Sequence, residues 1–201
     1  MLQKARGRRL LLIAVVAASA AGCDVAYKTD LMRKDTLTDA QQVIADARLS
    51  GGDLTIQGSV DRPDTTYDPG QPITLSVKTS KDASIAILRV LPSGDTTIVF
   101  PNRAHRDAKI AANTALTVPA SGEQVKIAGD KPAIVLFEFI ASTAGTSWLF
   151  HRPPDDGSDF ADLGSTTRDI AKDLVSTLKV GGAAPTAATH LTVRISGRSL
   201  F

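Results

Sequence analysis

From Leu54 onward the apolar residues of this chain recur at every second position, and that period limits the fold more than any other feature. Leu54, Ile56, Gly58 and Val60 share one face of "LTIQGSV", and Ile73, Leu75 and Val77 share one face of "PITLSVKTS". Alternation of this kind marks half-buried strands. "ASIAILRVL" differs: Ile85, Ile87 and the aliphatic stem of Arg89 lie on one face, and Ala86, Leu88 and Val90 lie on the other. A strand apolar on both faces is covered on both sides, so this one is expected at the centre of a sheet. "PSGD" supplies a hairpin turn and "TTIVFP" the return strand. "NRAHRDAKIAAN" reads as a polar loop, "ALTVP" and "EQVKIAG" as short strands, and "PAIVLFEFIAS" as a strongly apolar strand. Many short strands separated by turn chemistry predict a sandwich or barrel rather than βαβ units.

Two segments break the pattern. In "TLTDAQQVIADARL", Leu37, Ala40, Val43, Ile44, Ala47 and Leu49 recur at helical spacing. Thr38 followed by Gln41 forms a capping box, and Gly51-Gly52 is a stop. This short helix is expected to dock on the body or on a partner. After Ser142, "HRPPDDGSDFADLG" reads as a loop and "STTRDIAKDLVSTL" as an amphipathic helix capped by Thr166 or Ser165. Its stripe is Ile170, Leu174, Val175 and Leu178. "GGAAPTAAT" reads as a flexible connector, and "HLTVRISG" as a last strand that pairs into the sheet already built. The expectation is a mainly β chain, an antiparallel β-sandwich over residues 54–201. It carries a short N-terminal helix and one helical insertion, about 147–182, before the last strand.

Charge sets the next limit. Lys4, Arg6, Arg8 and Arg9 are the four of 23 basic residues that precede Cys23, and none of the 21 acids does, so 19 basic residues face 21 acids after that point. A faintly acidic body gives no electrostatic reason to bind nucleic acid, and aromatics at 4% offer few stacking platforms. "MLQKARGRR" is a basic stretch, "LLLIAVVAASA" an apolar one too short to span a membrane, and "SAAG" a run of small residues before the chain's only cysteine. That order is a secretory signal over residues 1–22. A lone exported thiol has no partner in the chain, so Cys23 is free, cross-linked or modified.

Ala20-Ala21-Gly22-Cys23 resembles the lipobox of bacterial lipoproteins, although leucine usually stands where Ala20 does. The resemblance implies that Cys23 carries acyl chains and anchors the protein to membrane lipid, with residues 23–53 as tether and helix. Asp24 is similar to the inner-membrane sorting signal of enterobacterial lipoproteins, which favours the periplasmic face of the inner membrane and leaves the outer membrane open.

The middle of the chain resembles a bacterial domain-of-unknown-function family, numbered 4384, over about residues 59–142. The pattern runs through Tyr67, Gly70 and Gln71, then "ITLSV", "DASIAILRVLPSGDTTIVFPN", "KIAANTALTVP" and "IVLFEFIAS". The resemblance implies a β-sandwich interaction module in exported proteins, and brings no catalytic residue with it.

Few residues suggest chemistry. Arg103, His105, Arg106 and Asp107 cluster in one polar loop, but nothing ties a nucleophile to them, and Asn102 fits a turn. Asp155, Asp156, Asp159 and Asp162 do not follow a calcium-loop spacing. His105, His151 and His190 are far apart, so neither a metal site nor any cofactor is expected. Trp148, Phe150 and Phe160 either seal the insertion onto the sandwich or face a partner or glycan. The expected function is therefore a membrane-anchored, non-catalytic interaction module of the bacterial envelope, an accessory of a secretion or surface-assembly complex. Another envelope protein is the expected partner, contacted through Arg103, His105, Arg106, Trp148 and the two helices. The alternative is a lipoprotein that binds peptidoglycan or another glycan.

Overall fold

The computed structural model describes residues 36–47, 49, 51–103, 105–119, 124–127, 131–144, 160–164, 166–180 and 184–197. The chain divides into two compact units, Met1–Arg33 and Lys34–Phe201, and every element described belongs to the second. Cys23 and Asp24 lie outside the described residues. The order is α1 (Asp39–Ala45), β1 (Ile56–Val60), β2 (Thr66–Tyr67), β3 (Pro72–Ile73), β4 (Leu75–Thr79), β5 (Ala83–Val90) and β6 (Thr96–Phe100). Then come β7 (Lys109–Ile110), β8 (Leu116–Val118), β9 (Val125–Lys126), β10 (Ala133–Ser142), β11 (Ala161–Asp162), α2 (Thr167–Val180) and β12 (Thr186–Ile195). No helix among the described residues is long and apolar enough to cross a membrane.

The main sheet runs β11-β6-β5-β10-β12-β2, with β7 also paired to β5. Its neighbours are antiparallel except β12 and β2. A smaller sheet, β1-β4-β8, and the pair β3-β9 stand apart from it. The chain is a mainly β sandwich, as its alternation predicts, and β5 is central. Ile85 and Ile87 enter the core shared with the smaller strands, beside Leu75, Val77, Phe137 and Phe139. Ala86, Leu88 and Val90 enter a second core on the opposite face.

That second core adds a layer. Ile44, Leu49, Ile170, Ala171 and Leu174 pack with Leu136 and Ile140 of β10, so both helices lie on the main sheet. Full burial of each large aliphatic side chain is worth about 1.5–3 kcal/mol, enough to hold two short helices in place. Both cap as the sequence predicts. Thr38 accepts from the Gln41 N–H while the Gln41 side chain accepts from the Thr38 N–H, and Thr166 accepts from the Asp169 N–H. The Gln41 amide also donates to the carbonyls of Val90 and Ile134, at 3.0 and 2.8 Å. One side chain thus caps α1 and fastens it to β5 and to β10.

Four readings need correction. "GGAAPTAAT" is not wholly a connector, because β12 begins at Thr186. A ladder with β10 along its whole length and a bridge from Gly51 to Thr186 override the weak strand propensity of alanine there. Within the loop after Ser142, Ala161–Asp162 pairs with β6 as an edge strand, and within the polar loop Lys109–Ile110 pairs with β5. Pairing of two-residue strands is a tertiary event that leaves no period to read. The predicted helix contact surfaces are also used internally: Ile170 and Leu174 of the stripe are buried against the sheet.

The residues of the family pattern are structural. Tyr67 is buried and donates its hydroxyl to Asp61 Oδ1 at 2.7 Å, which also accepts the Thr74 N–H at 2.9 Å. Burial and the neighbouring carboxylate push the Tyr67 hydroxyl well above its ordinary value. Burial opposes ionisation of Asp61, but the Tyr67 and Thr74 hydrogen bonds outweigh it and hold that carboxyl below the usual range. Thr74 is where the chain passes from β3 to β4. Gln71 accepts from the Asp68 N–H and donates to its carboxylate, closing the turn in which Gly70 takes a φ of 77°.

Candidate functional site: a buried carboxyl beneath the end of α1

Glu138 is the feature that the apolar strand conceals. It lies on the helix-facing side of β10 between Leu136 and Ile140, cross-strand from Leu88 of β5 and His190 of β12. The residue is 2% exposed. Its Oε2 is buried with no hydrogen-bond partner among the described residues. Desolvation pushes the carboxyl from 4.5 up to about 8, so at neutral pH it is mostly protonated.

His190 stands beside it. Nδ1 stands 3.9 Å from Glu138 Oε2, beyond hydrogen-bond reach, and the imidazole is 44% exposed. The backbone explains the placement. Thr186 and Arg194 use their N–H groups on the outer edge of β12, toward Gly51 and Thr65. Residues of the same parity therefore face outward, which makes Glu138 and His190 a non-hydrogen-bonded pair, the closer of the two cross-strand types. His190 and Thr192 consequently present N–H and C=O on that outer edge, where no partner meets them among the described residues.

A cleft of about 470 Å³ opens at this point, lined by Ala45, Ala47, Leu49, Glu138, Ala188, Thr189 and His190. Three small residues on the wall, Ala45, Ala47 and Ala188, leave the space. Protonated Glu138 can donate a hydrogen bond, and ionised Glu138 can receive a cation. No group of three or more His, Cys, Asp or Glu that could hold a metal occurs among the described residues.

The predicted site residues lie elsewhere. Asn102 makes the expected turn: its Oδ1 accepts the His105 N–H at 2.8 Å. Arg103 and Arg106 are exposed, His105 is half-buried, and Asp107 accepts the Lys109 N–H. None of them lines the cleft. Phe160 packs against the sandwich core, whereas Trp148, Phe150, His151, Asp155, Asp156 and Asp159 lie outside the described residues. The missed residue carried a signal: a lone glutamate in the ten-residue run "AIVLFEFIAS". A charge within a strand covered on both faces must be neutralised, paired or used.

The family model described as "Domain of unknown function (DUF4384)" matches residues 66–144, which run from β2 to the end of β10. The match includes Glu138 and stops short of His190. No curated protein and no solved structure matches the chain.

Proposed function

We propose that this chain, whose residues 66–144 carry a DUF4384 domain, is a lipid-anchored, non-catalytic interaction module of the bacterial envelope that receives an extended segment of a protein partner along β12. The observation that carries the reading is the outer edge of β12. His190 and Thr192 offer backbone hydrogen-bonding groups between two occupied ends, Gly51 and Thr65, and the cleft opens beside them. Added strands take affinity from such main-chain groups and specificity from neighbouring pockets. Of the described apolar residues of the helices, Ile44, Ile170, Ala171 and Leu174 pack on the sheet.

The anchor rests on the sequence: a basic stretch, a short apolar stretch and small residues before Cys23, then a unit of its own from Lys34. Each acyl methylene adds about 0.8 kcal/mol of membrane affinity, so two or three chains hold firmly. Asp24 favours the inner membrane, facing the periplasm.

The test is photo-crosslinking in native membranes from a residue placed at Thr192, with Thr192→Pro and Cys23→Ser alongside. Proline removes the outward N–H without touching the β10 ladder. One envelope protein crosslinked at position 192 and lost with Thr192→Pro supports the docking reading, and equal capture by the proline variant sinks it. A mature mass lacking acyl chains sinks the anchor.

A further inference from the structure

The cleft has a chemistry of its own. Glu138 and His190 are the only titratable groups among the described residues that line it, and Ala45, Ala47, Leu49 and Ala188 make apolar walls. Among the described residues, the charged groups of the neighbouring helices, Asp39 and Asp46 at α1 and Arg168, Asp169, Lys172 and Asp173 on α2, are exposed and do not line the cleft. Ala86, Leu88 and Val90 of β5 on this face are apolar. Glu138 therefore lines the cleft, and its Oε2 is buried with no donor among the described residues. A buried carboxylate without a partner is strongly disfavoured, so such a group either keeps its proton or meets a cation that arrives from outside. The space far exceeds that of one water and admits an unbranched alkyl chain.

We propose that this cleft takes a primary alkylammonium group, the head of a lysine side chain on the partner segment received by β12, with its nitrogen donating to the Glu138 carboxyl and its methylenes lying on Ala45, Ala47 and Leu49. The source of the lysine rests on the docking reading; the chemistry of the cleft does not. At neutral pH the incoming ammonium displaces the carboxyl proton to solvent, and an ion pair replaces a neutral acid. Affinity therefore rises about tenfold from pH 6 to pH 7 and levels off above pH 8.

The full chain in detergent micelles, labelled with ¹³C at its glutamate carboxyls, gives two signals, because Glu123 and Glu138 are its only glutamates. It is titrated with Nα-acetyl-lysine N-methylamide and, separately, with the norleucine counterpart, which lacks the ammonium. The lysine probe is expected to move the Glu138 signal saturably and lower its titration midpoint, and the norleucine probe to do neither. In Glu138→Gln the lysine response disappears. Ala47→Leu, which narrows the cleft without altering the carboxyl, abolishes probe binding while the raised midpoint persists, showing that the fold is intact. No movement between pH 6 and 9, an equal response to both probes, or lysine binding that survives Glu138→Gln overturns the proposal. No partner or membrane enters this experiment, so its failure leaves the crosslinking test at Thr192 untouched, and the reverse also holds.

Discussion

Nδ1 of His190 stands 3.9 Å from Oε2 of Glu138, close enough to share a cleft and too far to share a hydrogen bond. The two residues are 52 positions apart in the chain and directly opposite in the ladder between β10 and β12. No described residue hydrogen-bonds Oε2, and burial pushes the carboxyl up to about 8, so it is mostly protonated at neutral pH.

The glutamate ¹³C spectrum reports this directly. One of its two carboxyl signals, lost in Glu138→Gln, is expected to titrate with a midpoint near 8. A midpoint in the ordinary carboxylate range for both signals contradicts the burial described above.

Stability follows from the same shift. The carboxyl is raised from 4.5 to about 8 in the folded chain, so between those values the unfolded chain has lost a proton that the folded one retains. The fold therefore weakens as pH rises through that window, by roughly 1.4 kcal/mol per unit for a full one-proton difference, and the loss stops above pH 8. Glu138→Gln, neutral throughout, is expected to remove this slope and to be the more stable protein at pH 8.5. Denaturant midpoints of both proteins across pH 5–9 check it.

Gly58 lies against the ring of Phe139. A Cβ built on Gly58 meets Cδ2 and Cε2 of that ring at 2.7 Å, and Phe139 is fully buried with no room to retreat. Gly58→Ala is expected to cost about 1–3 kcal/mol by overpacking, measured as a lower denaturant midpoint at unchanged slope. A neutral effect would mean that the two layers part easily.

Gln41→Ala removes half of the capping box and strips two buried carbonyls, Val90 and Ile134, of a donor. A cost of about 2–4 kcal/mol is expected, the sum of a lost cap and of polar groups left unpaired. Hydrogen exchange resolved by residue should show the loss concentrated in α1 and the adjoining ends of β5 and β10.

The elements most legible in the sequence are those whose period and burial agree. "ASIAILRVL" announces a central strand because both of its faces are apolar, and the structure places it between β6 and β10. Thr38 and Gln41 announce a helix start because the capping box is a local bargain between neighbours. Nothing local announces that Gln41 also reaches across to Val90 and Ile134. The site was half legible. Glu138 stands out within its apolar run, but its opposition to His190 depends on the register of two strands, and register is fixed by the whole core. Ala161–Asp162 and Lys109–Ile110 were illegible because two residues carry no period.

The second core has a consequence for anyone who would move this domain between proteins. The family match ends at residue 144, yet the helix-facing side of β10 is roofed by α1 and α2, and its outer flank is walled by β12. A cassette cut at 66 and 144 would carry Glu138 without the surroundings that keep it protonated, and would bare Leu136 and Ile140 to water. What travels as a recognisable sequence here is smaller than what works as a physical unit.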